Sequence, residues 1–259
     1  SCLIYVIKFV QVISCNLPNQ ELAKACTELR LSNMANIAKL NQFPEDDKSA
    51  WLLGLLKKEI EIRYDKKITR LYNQAKFPKR KTLNDYIWRE QINFSTPDSK
   101  QQLLNLSFID KNENAVFVGT PGTGKTHLAT ALGVKAIENG INVKFWRVAE
   151  LVDQLEQEWK SLSIERFKKK CHKYQLIILD EMGYVPFSKT GSELLFQLIS
   201  DWYETKSIII TSNLEFSQWN KVFIDPRLTA ALVDRLIHHA HIVSFTGESY
   251  RLKNALSNN

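Results

Sequence analysis

The chain has 259 residues, which is enough for one large domain or for a large domain with a small one beside it. Hydrophobic residues make up 44% of the chain and charged residues 24%, a balance that is ordinary for a soluble globular protein and that excludes a low-complexity chain. The formal net charge of +7 favours an acidic partner, and nucleic acid before a membrane surface.

Residues 1–18 form an apolar leader that Lys8 and Gln11 interrupt. The leader is too short and too polar to span a bilayer, and it lacks the basic start and the small-residue cleavage site of a signal peptide. It is either a non-native upstream extension or an edge strand, and we assign it no function. The chain is expected to be cytoplasmic, with no membrane partner. Its cysteines are scattered and contain no CxxC pair, so reduced thiols are expected.

Residues 19–95 are predicted to form a small α-helical amino-terminal domain. Apolar residues recur there at spacings of three and four, and Pro44 separates a first helical pattern from a second one near Trp51. A basic stretch follows at 76–81, with the aromatic residues Tyr86 and Trp88 close to it in sequence. This stretch is either a solvated linker or a contact with nucleic acid, and the sequence leaves both interpretations open.

The segment 96–259 is predicted to be a nucleotide-binding core, and its most informative motif is a glycine-rich loop. The motif consists of Gly119, Thr120, Pro121, Gly122, Thr123, Gly124, Lys125 and Thr126, with His127 next in the chain. An apolar strand precedes it and a helical pattern follows it, which is the setting of a phosphate-binding P-loop. Glycines allow backbone N–H groups to surround a phosphate. Lys125 can reach the β- and γ-phosphates of ATP, and the Thr126 hydroxyl can ligate Mg²⁺. The alternative is a glycine-rich turn without a ligand.

An acidic pair, Asp180 and Glu181, follows the apolar residues 176–179, which predict a buried parallel strand. Ligands of open α/β sheets bind at this end of the strands. Asp180 is therefore expected to hold Mg²⁺, directly or through water, and Glu181 to orient and deprotonate a water that attacks the γ-phosphate. The alternative is a solvated acidic turn. Asn213 follows the next strand, and its side chain is suited to contact the attacking water or the γ-phosphate. Without the other two motifs it would be interpreted as a turn residue.

The core strands are predicted at 115–119, 142–147, 176–180, 207–212 and 241–245, with helices between them. This alternation predicts an α/β fold with a five-stranded, mostly parallel sheet and helices on both faces.

Two clusters of side chains have open interpretations. A helical segment at 149–174 ends in a basic cluster, which is either an exposed helix face or a contact with phosphate backbones. The cluster contains Arg166, Lys168, Lys169, Lys170, His172 and Lys173. The histidines His238, His239 and His241 suggest a metal site, but no cysteine or carboxylate converges on them in sequence, so a metal site is not expected there.

The complete set of motifs resembles the IstB/DnaC-type AAA+ ATPases, and in particular the IstB-like transposition helper proteins. The resemblance covers about residues 22–252. Besides the P-loop, its marks are LDEMGY at 179–184, TSNL at 211–214, ALVDRLIHHA at 231–240 and GESYR at 247–251.

This resemblance implies a P-loop AAA+ core with ATP and Mg²⁺ as its ligands. The carboxyl-terminal helical lid of many AAA+ proteins is expected to be absent, because the sequence ends soon after Arg251. The resemblance also implies an ATPase that forms an ATP-dependent homo-oligomer, binds double-stranded DNA and assists a DDE transposase. Arg235 would be an arginine finger that reaches the ATP of a neighbouring subunit, with Arg227 as a competing candidate. Arg251 would contact the phosphates of its own subunit, and the first helices would serve DNA and partner contacts.

Two other functions fit the core motifs. One is a replicative helicase loader, which belongs to the sister branch, and the other is a metabolic P-loop kinase. The kinase is disfavoured because the sequence has no evident acceptor pocket or lid motif. The DRLIHHA and GESYR blocks favour the transposition branch over the loader.

Overall fold

A computed structural model describes residues 26–31, 33–34 and 48–250. Contacts along the chain divide it into two compact units, residues 1–69 and residues 70–259. The apolar leader and the candidate Arg251 lie outside the described residues. The predicted domain limits after residues 18 and 95 remain predictions.

In the first unit, a buried carboxylate joins a short segment to a long helix. Helix α1 (Lys48–Ala75) begins in this unit and ends in the second. Glu59 of α1 accepts a hydrogen bond of 2.8 Å from the backbone N–H of Met34 and pairs with Arg63 Nε at 2.6 Å. These donors compensate the cost of burying the carboxylate, which is 3% exposed.

The second unit contains a sheet of six strands within the described part of the chain. The strands are β1 (Ile92–Phe94), β2 (Asn114–Gly119), β3 (Val143–Arg147), β4 (Leu176–Met182), β5 (Ser207–Ser212) and β6 (Ala240–Phe245). The helices are α2 (Ser99–Asn105), α3 (Ser107–Asp110), α4 (Lys125–Glu138), α5 (Val148–Lys160), α6 (Ile164–Cys171), α7 (Lys189–Trp202) and α8 (Pro226–Ile237), with a 3₁₀ helix at Phe216–Lys221.

The strands lie in the order β1-β6-β2-β5-β4-β3, and all neighbours are parallel except β1, which pairs antiparallel with β6. The predicted α/β fold with a mostly parallel sheet is therefore confirmed. The predicted number of five strands is wrong, because β1 was missed. Three residues are too few to display the alternation that identifies a strand, and the partner of β1 lies far along the chain.

Helices cover both faces of this sheet. Ile177 and Leu179 of β4 belong to a large apolar core with α5, α7 and α8. The intervening Ile178 points to the opposite face, where its Cδ1 would lie 2.7 Å from a Cβ placed on Gly133 of α4. Because both faces are covered, the central strands read as continuous apolar runs. No helix in the described ranges is both long enough and apolar enough to cross a membrane.

The strand order determines which residues meet at the carboxyl edge of the sheet. Strand β5 lies between β2, which leads into the glycine-rich loop, and β4, which carries the acidic pair. The end of β5 therefore lies between these two motifs, at the edge where α/β proteins bind ligands.

Candidate nucleotide-binding site

The loop between β2 and α4 contains two positions that only glycine fits. Gly119 has φ of 141° and Gly122 has φ of 80°. A Cβ on Gly119 would lie 2.1 Å from the carbonyl oxygen of Phe245, and one on Gly122 would lie 2.2 Å from Ser249 Oγ. Helix α4 begins at Lys125 with Gly124 as its N-cap, so no cap side chain binds its first N–H groups. Such a helix start is suited to binding an anion.

The Lys125 side chain folds back over the loop. Its Nζ donates hydrogen bonds of 2.7 Å to the carbonyl oxygens of both Gly119 and Thr120, and the residue is 8% exposed. The Thr123 hydroxyl also donates to the Thr120 carbonyl, at 2.8 Å. The ammonium group is therefore positioned at the loop, where the oxygens of a bound phosphate would compete with these carbonyls.

Asp180 and Thr126 meet although they are distant in sequence. Asp180 is 2% exposed, and its Oδ1 accepts hydrogen bonds from Thr126 Oγ1 at 2.8 Å and from Thr211 Oγ1 at 2.5 Å. A carboxylate and a hydroxyl are the oxygen ligands that Mg²⁺ prefers. The residues present therefore fit this ion.

Thr211 has a second contact that the sequence did not indicate. Its Oγ1 accepts a hydrogen bond of 3.0 Å from the backbone N–H of Glu181. One hydroxyl of β5 thus holds both members of the acidic pair. The only signal was a polar residue directly after the apolar run Ile208–Ile210 of β5.

Glu181 lies on an irregularity of β4. The pairing of β4 with β5 shifts register between Leu179 and Met182, and Glu181 has φ of 62°, in the left-handed region that few residues other than glycine adopt. Its Oε2 lies 3.8 Å from Nε of Arg147, which ends β3. Both side chains are about half exposed. Arg147 is thus a further residue at the acidic pair that the sequence did not single out.

A cavity of about 400 Å³ opens beside the glycine-rich loop. The loop and the first turn of α4 form one wall, and the segment 78–89 forms another, including Lys79 and Lys81 from the basic stretch. This part of the stretch therefore lines the cavity, an arrangement that neither sequence-based interpretation anticipated. A cavity of this size is typical of small-molecule sites.

Tyr86 and His127 line the same cavity. The ring centroid of Tyr86 lies 5.1 Å from that of His127 and 4.9 Å from that of Trp88. Burial raises the pKa of Tyr86 to about 12, so its hydroxyl remains protonated. Burial, and then the Lys81 cation, lower the pKa of His127, which favours the neutral imidazole. His127 Nε2 is buried and has no hydrogen-bond partner within the described part of the chain, which is a rare condition for a polar atom.

The segment after β6 lies against the glycine-rich loop. The backbone N–H of Tyr250 donates to the Gly122 carbonyl at 2.9 Å, and the Thr120 hydroxyl donates to the Gly247 carbonyl at 3.1 Å. The Arg89 guanidinium lies 5.1 Å from the centroid of the Tyr250 ring. This segment contains the first four residues of the GESYR block and closes one side of the loop.

The family model of the IstB-like ATP binding proteins matches residues 24–258. The chain belongs to this family. It is 37% identical to an ATP-binding protein of insertion sequence IS232 from Bacillus thuringiensis subsp. berliner, over 80% of this chain and 82% of that protein. It is also 37% identical to the insertion sequence ATP-binding protein y4iQ/y4nD/y4sD from Sinorhizobium fredii, over 88% of this chain and 81% of that protein.

Solved structures share the fold of this IstB-like chain. The crystal structure of the DnaC helicase loader matches with a TM-score of 0.52 and 21% identity, over 68% of this chain and 98% of that one. The predicted AAA+ P-loop fold is thereby confirmed.

The described residues that line the cavity do not include the acidic pair Asp180 and Glu181, nor the remaining candidates Asn213, Arg235 and Arg227. Asn213 is exposed directly after β5. Arg235 lies near the end of α8, with its guanidinium 4.7 Å from the centroid of the Phe196 ring, and its Nη1 is buried without a hydrogen-bond partner in the described ranges. Arg227 is exposed in the first turn of the same helix.

The structure separates the three histidines of the HHAH segment. His241 is 7% exposed, and its ring nitrogens lie 3.1 Å from Ser99 Oγ and 2.9 Å from Glu113 Oε2. His238 and His239 are instead exposed at the end of α8. His241 is therefore a residue of the fold and not part of a three-histidine metal site.

Proposed function

We propose that this chain is an ATP-hydrolysing, DNA-binding helper of transposition. It binds ATP with Mg²⁺ at the glycine-rich loop, assembles into a homo-oligomer on double-stranded DNA and assists a DDE transposase in the cytoplasm. The observation that carries the proposal is the meeting of Thr126 with the buried carboxylate of Asp180 beside Lys125.

Binding would use the loop and its lysine. Phosphate oxygens replace the Gly119 and Thr120 carbonyls as acceptors for Lys125 Nζ, and the first N–H groups of α4 face the same charge. Thr126 and Asp180 hold Mg²⁺, which when bound neutralises negative charge on the phosphates.

Hydrolysis needs a base and a group that positions the water. The Glu181 carboxylate accepts a proton from the attacking water, and the Asn213 amide hydrogen-bonds the water or the γ-phosphate. Glu181 is paired with Arg147, so it has to turn from this partner to reach the water. Both side chains are about half exposed, so the ion pair is weak and breaking it costs little free energy.

Dependence of hydrolysis on assembly would come from an arginine of a neighbouring subunit. A guanidinium supplied by a partner stabilises the charge of the transition state in related phosphoryl transfers. Arg235 is the candidate, because its buried Nη1 has no hydrogen-bond partner among described residues, while its guanidinium lies over the ring of Phe196. Arg227 remains the competing candidate.

DNA contacts are assigned to the basic cluster around α6. Lys168 pairs with Asp201 at 3.0 Å, but the other five members, Arg166, Lys169, Lys170, His172 and Lys173, are exposed. Each phosphate that a lysine or arginine neutralises adds salt-dependent affinity. Assembly into an oligomer multiplies these weak contacts.

The relatives favour transposition over helicase loading. Both relatives are named for insertion sequences, and they share 37% of aligned residues with this chain over most of both lengths. The likeness to the helicase loader, at 21% identity, concerns the fold alone. We therefore assign the transposase as the partner.

The test uses the variant Glu181→Gln, which keeps the shape of the side chain but removes the base. We expect it to bind ATP and to remain assembled on duplex DNA, while its hydrolysis is at least about a hundredfold slower. Glu193→Gln, an exposed glutamate on α7, is the matched control and should hydrolyse ATP normally.

Normal turnover by Glu181→Gln would contradict the assignment of the base. Absence of ATP-dependent DNA binding by the unaltered chain would contradict the DNA-helper function. Binding of a replicative helicase in place of a DDE transposase would support the loader instead.

A further inference from the structure

A cluster of possible metal ligands lies at the edge of the sheet opposite the nucleotide cavity. Glu204 follows α7, and His238 and His239 follow α8 directly before β6. Asn114, which begins β2, donates its backbone N–H to the His239 carbonyl at 2.8 Å. The cluster is therefore at the amino ends of these parallel strands, whereas the glycine-rich loop is at the carboxyl end of β2. It takes no part in the proposed ATP site.

The donor set of this cluster suits a transition metal. One ligand atom from each of the three side chains lies within 4.8 Å of the other two, and all three side chains are exposed. Two imidazoles and one carboxylate are a known zinc ligand set, in which water takes the fourth position. Zinc ligands at about 2.0–2.1 Å lie about 3.3 Å apart, so rotation of exposed side chains has to close the remaining gap.

A neighbouring tyrosine adds a second observation. The Tyr203 hydroxyl lies 3.0 Å from His238 Nδ1. Histidines that bind metals usually use one ring nitrogen for the ion and the other for a hydrogen bond that orients the ring. Tyr203 provides this partner, which leaves His238 Nε2 for the ion.

The main chain at the cluster departs from ordinary geometry, because Glu204 has φ of 56°, in the left-handed region. A glutamate in such a conformation is uncommon.

We propose that Glu204, His238 and His239 bind one divalent transition-metal ion, with Zn²⁺ as the ion that the ligands suit best. The ion would connect the turn after α7 to the end of α8. Arg235 lies one turn before His239, and its guanidinium packs on Phe196 of α7. Bound metal would thus fix the two helices that position Arg235. The metal binding itself does not depend on the proposed function.

The test is a zinc titration of the full chain without an affinity tag, after treatment with a chelator and in competition with a chromophoric chelator. We expect one ion per chain and an affinity at least about tenfold lower in Glu204→Gln and in His239→Ala. His172→Ala is the matched control, because His172 is an exposed histidine outside the cluster, and it should bind as the unaltered chain does. Cobalt in place of zinc should give the visible absorption of a tetrahedral site in the unaltered chain and in His172→Ala, and a weaker absorption in Glu204→Gln and in His239→Ala.

Circular dichroism of each variant separates loss of the ligand from loss of the fold. Glu204→Gln changes only one exposed side chain and keeps the test valid if His239→Ala fails to fold. Absence of stoichiometric zinc binding by the unaltered chain would overturn the proposal. Equal affinity of the unaltered chain and of Glu204→Gln would also overturn it.

Discussion

Thr211→Val is the substitution that examines the buried acidic pair most closely. Valine keeps the shape of threonine but removes the hydroxyl that donates to Asp180 at 2.5 Å and accepts from the Glu181 N–H at 3.0 Å. A hydrogen bond to a charged group contributes about 1.5–3 kcal/mol and a neutral one about 0.5–1.5 kcal/mol. Because Thr126 still donates to Asp180, we expect the free energy of unfolding to fall by about 2–4 kcal/mol.

The assay is urea denaturation followed by tryptophan fluorescence, to which the stacked core pair Trp146 and Trp202 contributes. Thr229→Val is the matched control. It is also a buried threonine, but its hydroxyl donates to a neutral partner, the Asp225 carbonyl, at 2.8 Å. The control should lose about 1 kcal/mol. Equal losses in the two variants would refute the reasoning that Thr211 serves a buried charge.

Two other substitutions test the site, one at the ion pair of Glu181 and one in the glycine-rich loop. Arg147→Ala releases Glu181 from its ion pair, so the basal ATPase rate should rise by up to about fivefold, the equivalent of a pair worth about 1 kcal/mol, in a steady-state phosphate-release assay. A fall in rate would show that Arg147 assists the reaction. Gly119→Ala should lower the melting temperature by several degrees, because its Cβ would lie 2.1 Å from the Phe245 carbonyl oxygen. Gly247→Ala, where the nearest atom would lie 3.5 Å away, should melt like the unaltered chain, and equal melting of both variants would contradict this account.

The sequence predicted those parts of the site that depend on local pattern. The glycine spacing and the apolar run before Asp180 are readable because strands, turns and helix starts each have a short-range signature. The fold follows from the same alternation of strands and helices. The IstB-like family that these motifs resemble is confirmed by the match over residues 24–258.

The parts that were missed depend on contacts between distant segments. The bridge made by Thr211 follows from β5 lying between β2 and β4, and strand order cannot be read from one strand at a time. The contact of Arg147 with Glu181 depends on the irregularity in β4. Glu204 approaches His238 only after α7 and α8 have packed, which is why no carboxylate was visible beside the histidines in sequence.

Binding of a non-hydrolysable ATP analogue with Mg²⁺, measured by calorimetry, tests the central claim that the glycine-rich loop holds a triphosphate. Lys125→Ala removes a charge-assisted contact worth about 1.5–3 kcal/mol, so its affinity should fall about 10- to 100-fold. Lys111→Ala, an exposed lysine after α3, should bind the analogue as tightly as the unaltered chain does. Equal affinity of Lys125→Ala and the unaltered chain would contradict the account.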